Sequence, residues 1–376
     1  MPALGQKQTF GEAIPMSALP PKADIKRLHH FLLLAGLVGR NKGLYTFRLC
    51  AACGRPTERR PGRLEMKQGT RQFTRRAFLA SMAALSAVVP FARSSKSTAA
   101  VTPLTKAIPK TGERLPVIGM GSWLTFGVGD DKSAREVRIQ VLRAFFEAGG
   151  GMIDSSPMYG TSEDVIGYCL KRIPNKDGLF AATKVWTPLQ WYGVQQMQHS
   201  ERLWGQGPFD LMQVHNLWSW EAHLETLLKW RADGRIRYIG VTTSHGRRHE
   251  ELAKIMASAP IDFVQFTYNM LDREVEPRLL PLAAERRLAV IINRPFRRGG
   301  LFDRFERHPL PPWAAEFDCA NWAQFFLKFI VSHPAVTCAI PATSRVDHMR
   351  ENMGAARGRL PDSETRRRMI RYVENL

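Results

Sequence analysis

A chain of 376 residues, 44% hydrophobic and 23% charged, is long enough for a large buried core and ordinary enough in composition to be globular. Its formal net charge is +20, but residues 1–100 hold 17 Lys and Arg against 4 Asp and Glu, a surplus of 13, so most of the basicity is N-terminal. The mild remainder suits an anionic small molecule, and without an RNA- or DNA-binding signature it gives no case for a nucleic-acid partner. Five cysteines are too few for a disulfide framework at this length.

Residues 1–65 mix Pro, Gly and Arg with one short apolar stretch, Phe31 to Val38, and show no sustained periodicity. They read as disordered, or as upstream sequence ahead of a start at Met66. Cys50 and Cys53 form a CxxC with no second pair at zinc spacing, so no metal site is expected there. In residues 66–100, Arg75-Arg76 precede a modestly apolar run, Ala77 to Phe91, followed by Ser, Thr and Ala. That order describes an export signal of the twin-arginine type, too short to span a bilayer, and predicts a periplasmic protein handled by the twin-arginine translocation machinery. The competing reading is a basic amphipathic surface helix on a cytoplasmic protein.

From Leu104 the pattern becomes regular. PKTGER between two short extended runs, Lys106 to Leu115, predicts a hairpin. Eight apolar runs follow as predicted strands: Val117–Trp123, Met152–Ser155, Leu179–Val185, Leu211–His215, Tyr238–Thr242, Phe263–Tyr268, Ala289–Asn293 and Val336–Ile340. Helical periodicity separates them, over Ser133–Ala148, Ser162–Ile173, 193–204, Trp220–Arg231, His249–Ser258, Pro277–Arg286 and Asn321–Ser332, and continues over Asp347–Ala355 and Glu364–Asn375. Leu301–Asp318 reads as an irregular insertion containing Pro and aromatic residues, and its stretch around Phe302–Phe317 is a candidate cover for the mouth formed by the strand ends. Eight strands alternating with helices over residues 101–376 predict an α/β fold, a (β/α)8 TIM barrel with an N-terminal β-hairpin and an extra C-terminal helix. A doubly wound open sheet needs a Gly-rich phosphate turn after the first strand, and LTFGVGDD lacks the spacing. Cys169, Cys319 and Cys338 lie in apolar stretches and read as buried thiols.

Asp154, Lys184 and His215 each close an apolar run, and Tyr159 stands five residues beyond Asp154, just ahead of Gly160. A parallel barrel gathers its strand ends at one mouth, so an acid, an amine, an imidazole and a phenol meet there. That set suits proton transfer.

Asp154 with the SSPMYGTSEDVIG that follows it, then TKVW, QVHNL, GRIRYIGV, QFTYN and IPATSRVDHMREN, in that order, resemble the aldo-keto reductases over about residues 104–360. The resemblance implies an oxidoreductase that reduces an aldehyde or ketone to an alcohol, with hydride from a reduced nicotinamide and Tyr159 as proton donor. Lys184 is implied as the neighbouring cation, Asp154 as its carboxylate and His215 as the group that orients the carbonyl. A nearby ammonium favours a phenolate, so Lys184 is expected to make Tyr159 a better acid.

The resemblance also implies a cofactor segment: Thr242, Thr243 and Gln265 at the nicotinamide, Asn293 and Arg294 after the seventh strand, and Thr343, Ser344, Arg345, Glu351 and Asn352 around the adenosine. Thr243 stands where the family often has Asn, and Asn293 where it often has a stacking aromatic. Arg345 supplies a cation for a 2′-phosphate, which favours NADPH over NADH. Trp123, Trp186, Trp191 and Trp218 lie at or just beyond strand ends and are expected to wall an apolar substrate pocket. A nucleotide-binding regulatory protein with little turnover is the alternative function.

Overall fold

Eight short strands pair in parallel, each with its neighbour in the chain. The computed structural model describes residues 102–376; the segments 1–65 and 66–100 and the Cys50/Cys53 pair lie outside the described residues. The chain enters through an antiparallel hairpin, β1 (Thr105–Ala107) and β2 (Arg114–Pro116), in which Lys106 faces Leu115. The parallel strands are β3 (Met120–Gly121), β4 (Met152–Asp154), β5 (Phe180–Val185), β6 (Phe209–Val214), β7 (Ile236–Thr242), β8 (Phe263–Thr267), β9 (Ala289–Asn293) and β10 (Cys338–Ala339). They hydrogen-bond in sequence order from β3 to β10. Parallel bridges from Ile118 to Ala339 and from Gly121 to Ala342 join the two ends, so the sheet closes into a barrel without a free edge.

Period-two alternation explains both sides of the sheet. Ile153, Ala181, Met212, Ile239, Val264, Val290 and Ala339 alternate with inward residues and join the large core between sheet and helices. The inward positions Met152, Phe180, Leu211, Phe263, Ala289 and Cys338 form a second cluster with Ile108 and Leu115 of the hairpin, which plugs the bottom of the barrel. Higher along the same inward register the residues turn polar: Asp154, Lys184, Gln213, Gln265 and Asn293. One end of the barrel is therefore a packed floor and the other a site.

Helices separate the strands largely where periodicity places them. The first runs Lys132–Glu147, its N-terminus capped by Asp131, whose side chain accepts from the Ala134 N–H. Gly149 ends the turn that follows at φ +84°, a conformation that favours glycine. Two expectations are corrected. The outer strands are shorter than their apolar runs, because the barrel closes there through isolated bridges rather than a full ladder. Leu301–Asp318 is not irregular throughout: Gly300–Phe305 is an α-helix and Pro312–Phe317 a 3-10 helix. Aromatic packing holds this segment, with Phe305 and Trp322 rings 5.9 Å apart. Cys169 and Cys338 are buried, but Cys319 is only half-buried.

Candidate active site

Asp154 ends β4, Lys184 lies near the end of β5 and His215 follows β6, so three neighbouring strands deliver three functional side chains to one mouth. Tyr159 comes from the turn after β4. Its N–H donates to the Ser156 carbonyl at 2.9 Å, and Gly160, at φ +62°, redirects the chain into the helix Ser162–Leu170.

Lys184 and Asp154 are buried, and Nζ lies 2.5 Å from Oδ2. Nζ also donates to the Ser155 carbonyl at 2.7 Å. The other carboxylate oxygen, Oδ1, accepts from Gln213 Nε2 at 2.9 Å and Gln265 Nε2 at 3.0 Å. Each buried charge is thus paired and hydrogen-bonded, which such charges require. Burial opposes the Lys184 charge, but Asp154, with Tyr159 adding, overcomes it and raises the lysine above its ordinary value. Lys184 stays an ammonium.

That ammonium lies 5.2 Å from the centre of the Tyr159 ring. Burial raises the Tyr159 phenol above its ordinary value, while Lys184 pulls it down and Asp154 pushes it up. The direct effect of Lys184 has the expected sign, but burial outweighs it, so the phenol holds its proton at neutral pH. The Tyr159 ring also meets His215 edge-on, centroids 5.7 Å apart. Burial, reinforced by the Lys184 ammonium, holds His215 well below its ordinary value, so its imidazole is neutral. The backbone beyond His215 is strained: Asn216, Leu217 and Ser219 all have positive φ. Anchors hold it, the Asn216 N–H donating to Thr242 Oγ1 at 3.1 Å and Arg248 to the Asn216 carbonyl at 2.5 Å.

These groups open into a cavity of about 1160 Å³, larger than a typical small-molecule pocket. Tyr159, His215, Trp123, Trp186 and Trp218 line one part of it. Thr242, Thr243, Gln265, Asn293 and Arg294 line it as well, and so do Thr343, Glu351 and Asn352. Trp191 is not brought in: it is 58% exposed, on the helix Gln190–Trp204. Neither Ser344 nor Arg345 lines the cavity. Arg345 is exposed and pairs with Asp347, whereas His348 lines the cavity.

Two buried polar atoms on these walls, Thr243 Oγ1 and Arg294 Nε, have no hydrogen-bond partner among the described residues. Orphaned groups of this kind are costly unless a ligand satisfies them. Their place beside Gln265 and Asn293 fits the carboxamide and phosphates of a nicotinamide dinucleotide. Asn293 is not idle: its Nδ2 donates to the Thr243 carbonyl at 2.8 Å and to Gln265 Oε1 at 3.3 Å, which ties this wall of the cavity to Asp154.

Gln213 opens the QVHNL segment, but nothing in that segment marks it as a partner of Asp154. Period two offers the signal, since Gln213 and His215 lie two residues apart and share the barrel's inner face. Phe296, Phe302 and Trp322 also line the cavity. Phe302 lies in the aromatic insertion expected to cover the mouth, whereas no motif marks Phe296 or Trp322.

A closed parallel barrel with a buried acid–lysine pair, a phenol and a neutral imidazole at its mouth defines an oxidoreductase site of the aldo-keto type. The chain belongs to the aldo/keto reductase family, whose model matches residues 117–368. It is 26% identical over 257 residues to the methylglyoxal reductase YeaE of Escherichia coli, covering 66% of this chain and 88% of that protein. It is 29% identical over 210 residues to the aldo-keto reductase YhdN of Bacillus subtilis, covering 51% of this chain and 62% of that protein. Its fold matches the crystal structure of an aldo/keto reductase from Klebsiella pneumoniae in complex with NADP and acetate, with a TM-score of 0.61, 23% identity, and coverage of 72% of this chain and 95% of that one.

Proposed function

We propose that this aldo/keto reductase reduces an aldehyde or ketone to the alcohol with NADPH as cofactor. The observation that carries the reading is the placement of Tyr159 and a neutral His215 in one cavity, above the buried Lys184–Asp154 pair. A reduced nicotinamide, when bound, would supply the hydride that the carbonyl carbon accepts. His215 donates a hydrogen bond to the carbonyl oxygen and stabilises the charge that develops there. Tyr159 gives its proton to that oxygen. The phenolate left behind faces the Lys184 ammonium, which Asp154 keeps charged. Solvent then returns the proton to Tyr159.

Thr243, Gln265, Asn293 and Arg294 are the residues that would hold the nicotinamide end, and Thr343, Glu351 and Asn352 the adenosine end. Similarity to a protein solved with NADP supports the choice of nucleotide. Arg345 remains a candidate for the 2′-phosphate only if it leaves Asp347; His348 needs no such move. The Trp123, Trp186 and Trp218 walls favour an aromatic or apolar carbonyl compound over a sugar. The order of residues 66–100 supports twin-arginine export to the periplasm, a route that carries folded proteins and so suits a barrel loaded with its cofactor. Among the described residues no helix is long and apolar enough to cross a membrane.

The test is a panel of aromatic, aliphatic and dicarbonyl substrates, with oxidation of NADPH and NADH followed for each. Turnover of aromatic carbonyls with NADPH is expected. Tight nucleotide binding with no turnover on any of them would favour the regulatory alternative. Cell fractionation, with mass spectrometry of the mature N-terminus, tests the export reading.

A further inference from the structure

Ser156 lies two residues beyond Asp154, fully buried, and the proposed mechanism above gives it no role. Its hydroxyl oxygen is 2.9 Å from Nδ1 of His215. The same oxygen accepts the Met158 N–H at 3.2 Å, and the Ser156 carbonyl accepts the Tyr159 N–H at 2.9 Å. One serine therefore touches both the turn that carries Tyr159 and the ring of His215.

We propose that Ser156 is a positioning residue that fixes His215 as the Nε2–H tautomer, so that the ring presents a donor to the substrate carbonyl. The inference rests on reading His215 as the carbonyl's partner.

A hydroxyl has one hydrogen to give and two lone pairs to receive with. The Met158 N–H takes one lone pair. The Ser156 hydrogen then needs an acceptor, and among the described residues His215 Nδ1 is the one within hydrogen-bonding reach. Donation to Nδ1 leaves the single proton of the neutral imidazole on Nε2. In the other tautomer two N–H groups would converge on one oxygen, and the hydroxyl hydrogen would be buried without an acceptor, an arrangement folded proteins avoid. Nε2 would then present a lone pair, which repels a carbonyl oxygen instead of polarising it. Because burial and Lys184 keep the ring neutral, a second proton does not rescue the wrong tautomer. The hydrogen bond on the far nitrogen decides which nitrogen is the donor.

The test uses the full-chain protein with nucleotide bound and its histidines labelled with nitrogen-15. The His215 signals are assigned by their loss in His215→Gln. The wild-type protein is expected to show an unprotonated, hydrogen-bonded Nδ1 and a protonated Nε2. Ser156→Ala is expected to lose that single-tautomer signature and to lower kcat about tenfold, with KM and nucleotide affinity within about twofold. Ser156→Thr, which keeps the hydroxyl, restores both. Should Ser156→Ala fail to fold, Ser156→Gly, which likewise removes the hydroxyl, is read in the same way. A wild-type ring protonated on Nδ1, or an Ala variant with an unchanged tautomer, overturns the proposal. The tautomer is measured without turnover, so a chain that reduces no carbonyl but shows the Ser156-dependent Nε2–H form still supports it.

Discussion

Replacing Asp154 by Asn removes one charge of a buried pair and keeps the shape. Lys184 has no measurable exposure and Asp154 has 2%, so water cannot take the place of the lost carboxylate. Breaking such a pair from one side costs about 3–5 kcal/mol, because the remaining charge is buried and uncompensated. For a folded unit of this size that lowers Tm on the order of 10 °C. The new Asn can still accept from Gln213 or Gln265, so the loss is expected to come from Lys184 and not from those amides. The double variant Asp154→Asn/Lys184→Met removes both charges and is expected to recover at least half of the loss. Thermal and urea unfolding of wild type, both singles and the double, at one pH, measures this. A single variant that loses less than about 1 kcal/mol, or a double variant that loses the sum of the singles, would show that the two charges do not depend on each other.

Lys106 links the hairpin to the carbonyls of His333 and Val336, each at 2.7 Å, and burial, helped by Arg366, lowers its amine from 10.5 to about 8. Its folded value lies below its unfolded one, so the unfolded chain binds more protons between them and this group's stability contribution rises with pH across that window. Unfolding free energies from about pH 7 to about pH 10 are expected to shift toward wild type over Lys106→Met by up to about 3 kcal/mol; a flat difference counts against it. Lys328 is buried and donates to four carbonyls, of Phe317, Asp318, Arg357 and Arg359. Lys328→Met strands all four, and urea unfolding is expected to show a loss of about 3 kcal/mol. Trp218 packs against Trp186 at 5.5 Å in the cavity wall, whereas Trp191 is exposed. Trp218→Ala is expected to raise KM for an aromatic carbonyl about tenfold and Trp191→Ala to leave it within about twofold; equal effects would remove Trp218 from the substrate wall.

Much of the barrel was legible because its periods are strong. Strands such as Ala289–Asn293 and helices such as His249–Ser258 lie where alternation and the 3.6-residue repeat place them. Strand ends were harder to read where pairing is set by barrel closure, as at Met120–Gly121, since apolar runs do not report which residues find a partner across the seam. The segment after Leu301 looked irregular because its helices are short and held by aromatic contacts from distant Trp322 and Phe326. Within the site, strand order brings Asp154, Lys184 and His215 together, which spacing anticipates. Side-chain direction is a different matter. Nothing in the spacing of Arg345 and Asp347 shows that the two pair outside the cavity, or that Trp191 turns to solvent. Nor does the sequence show that burial outweighs Lys184 at the Tyr159 phenol, because that balance depends on depth.

The whole mechanism turns on Tyr159 supplying the proton to the reduced carbonyl. Its sharpest check is kcat of Tyr159→Phe on a turned-over carbonyl at saturating NADPH, with NADPH affinity measured in parallel by quenching of protein fluorescence. The expected result is a fall in kcat of at least about a hundredfold with nucleotide affinity unchanged. Equal rates for the variant and the wild type would remove Tyr159 as the proton donor.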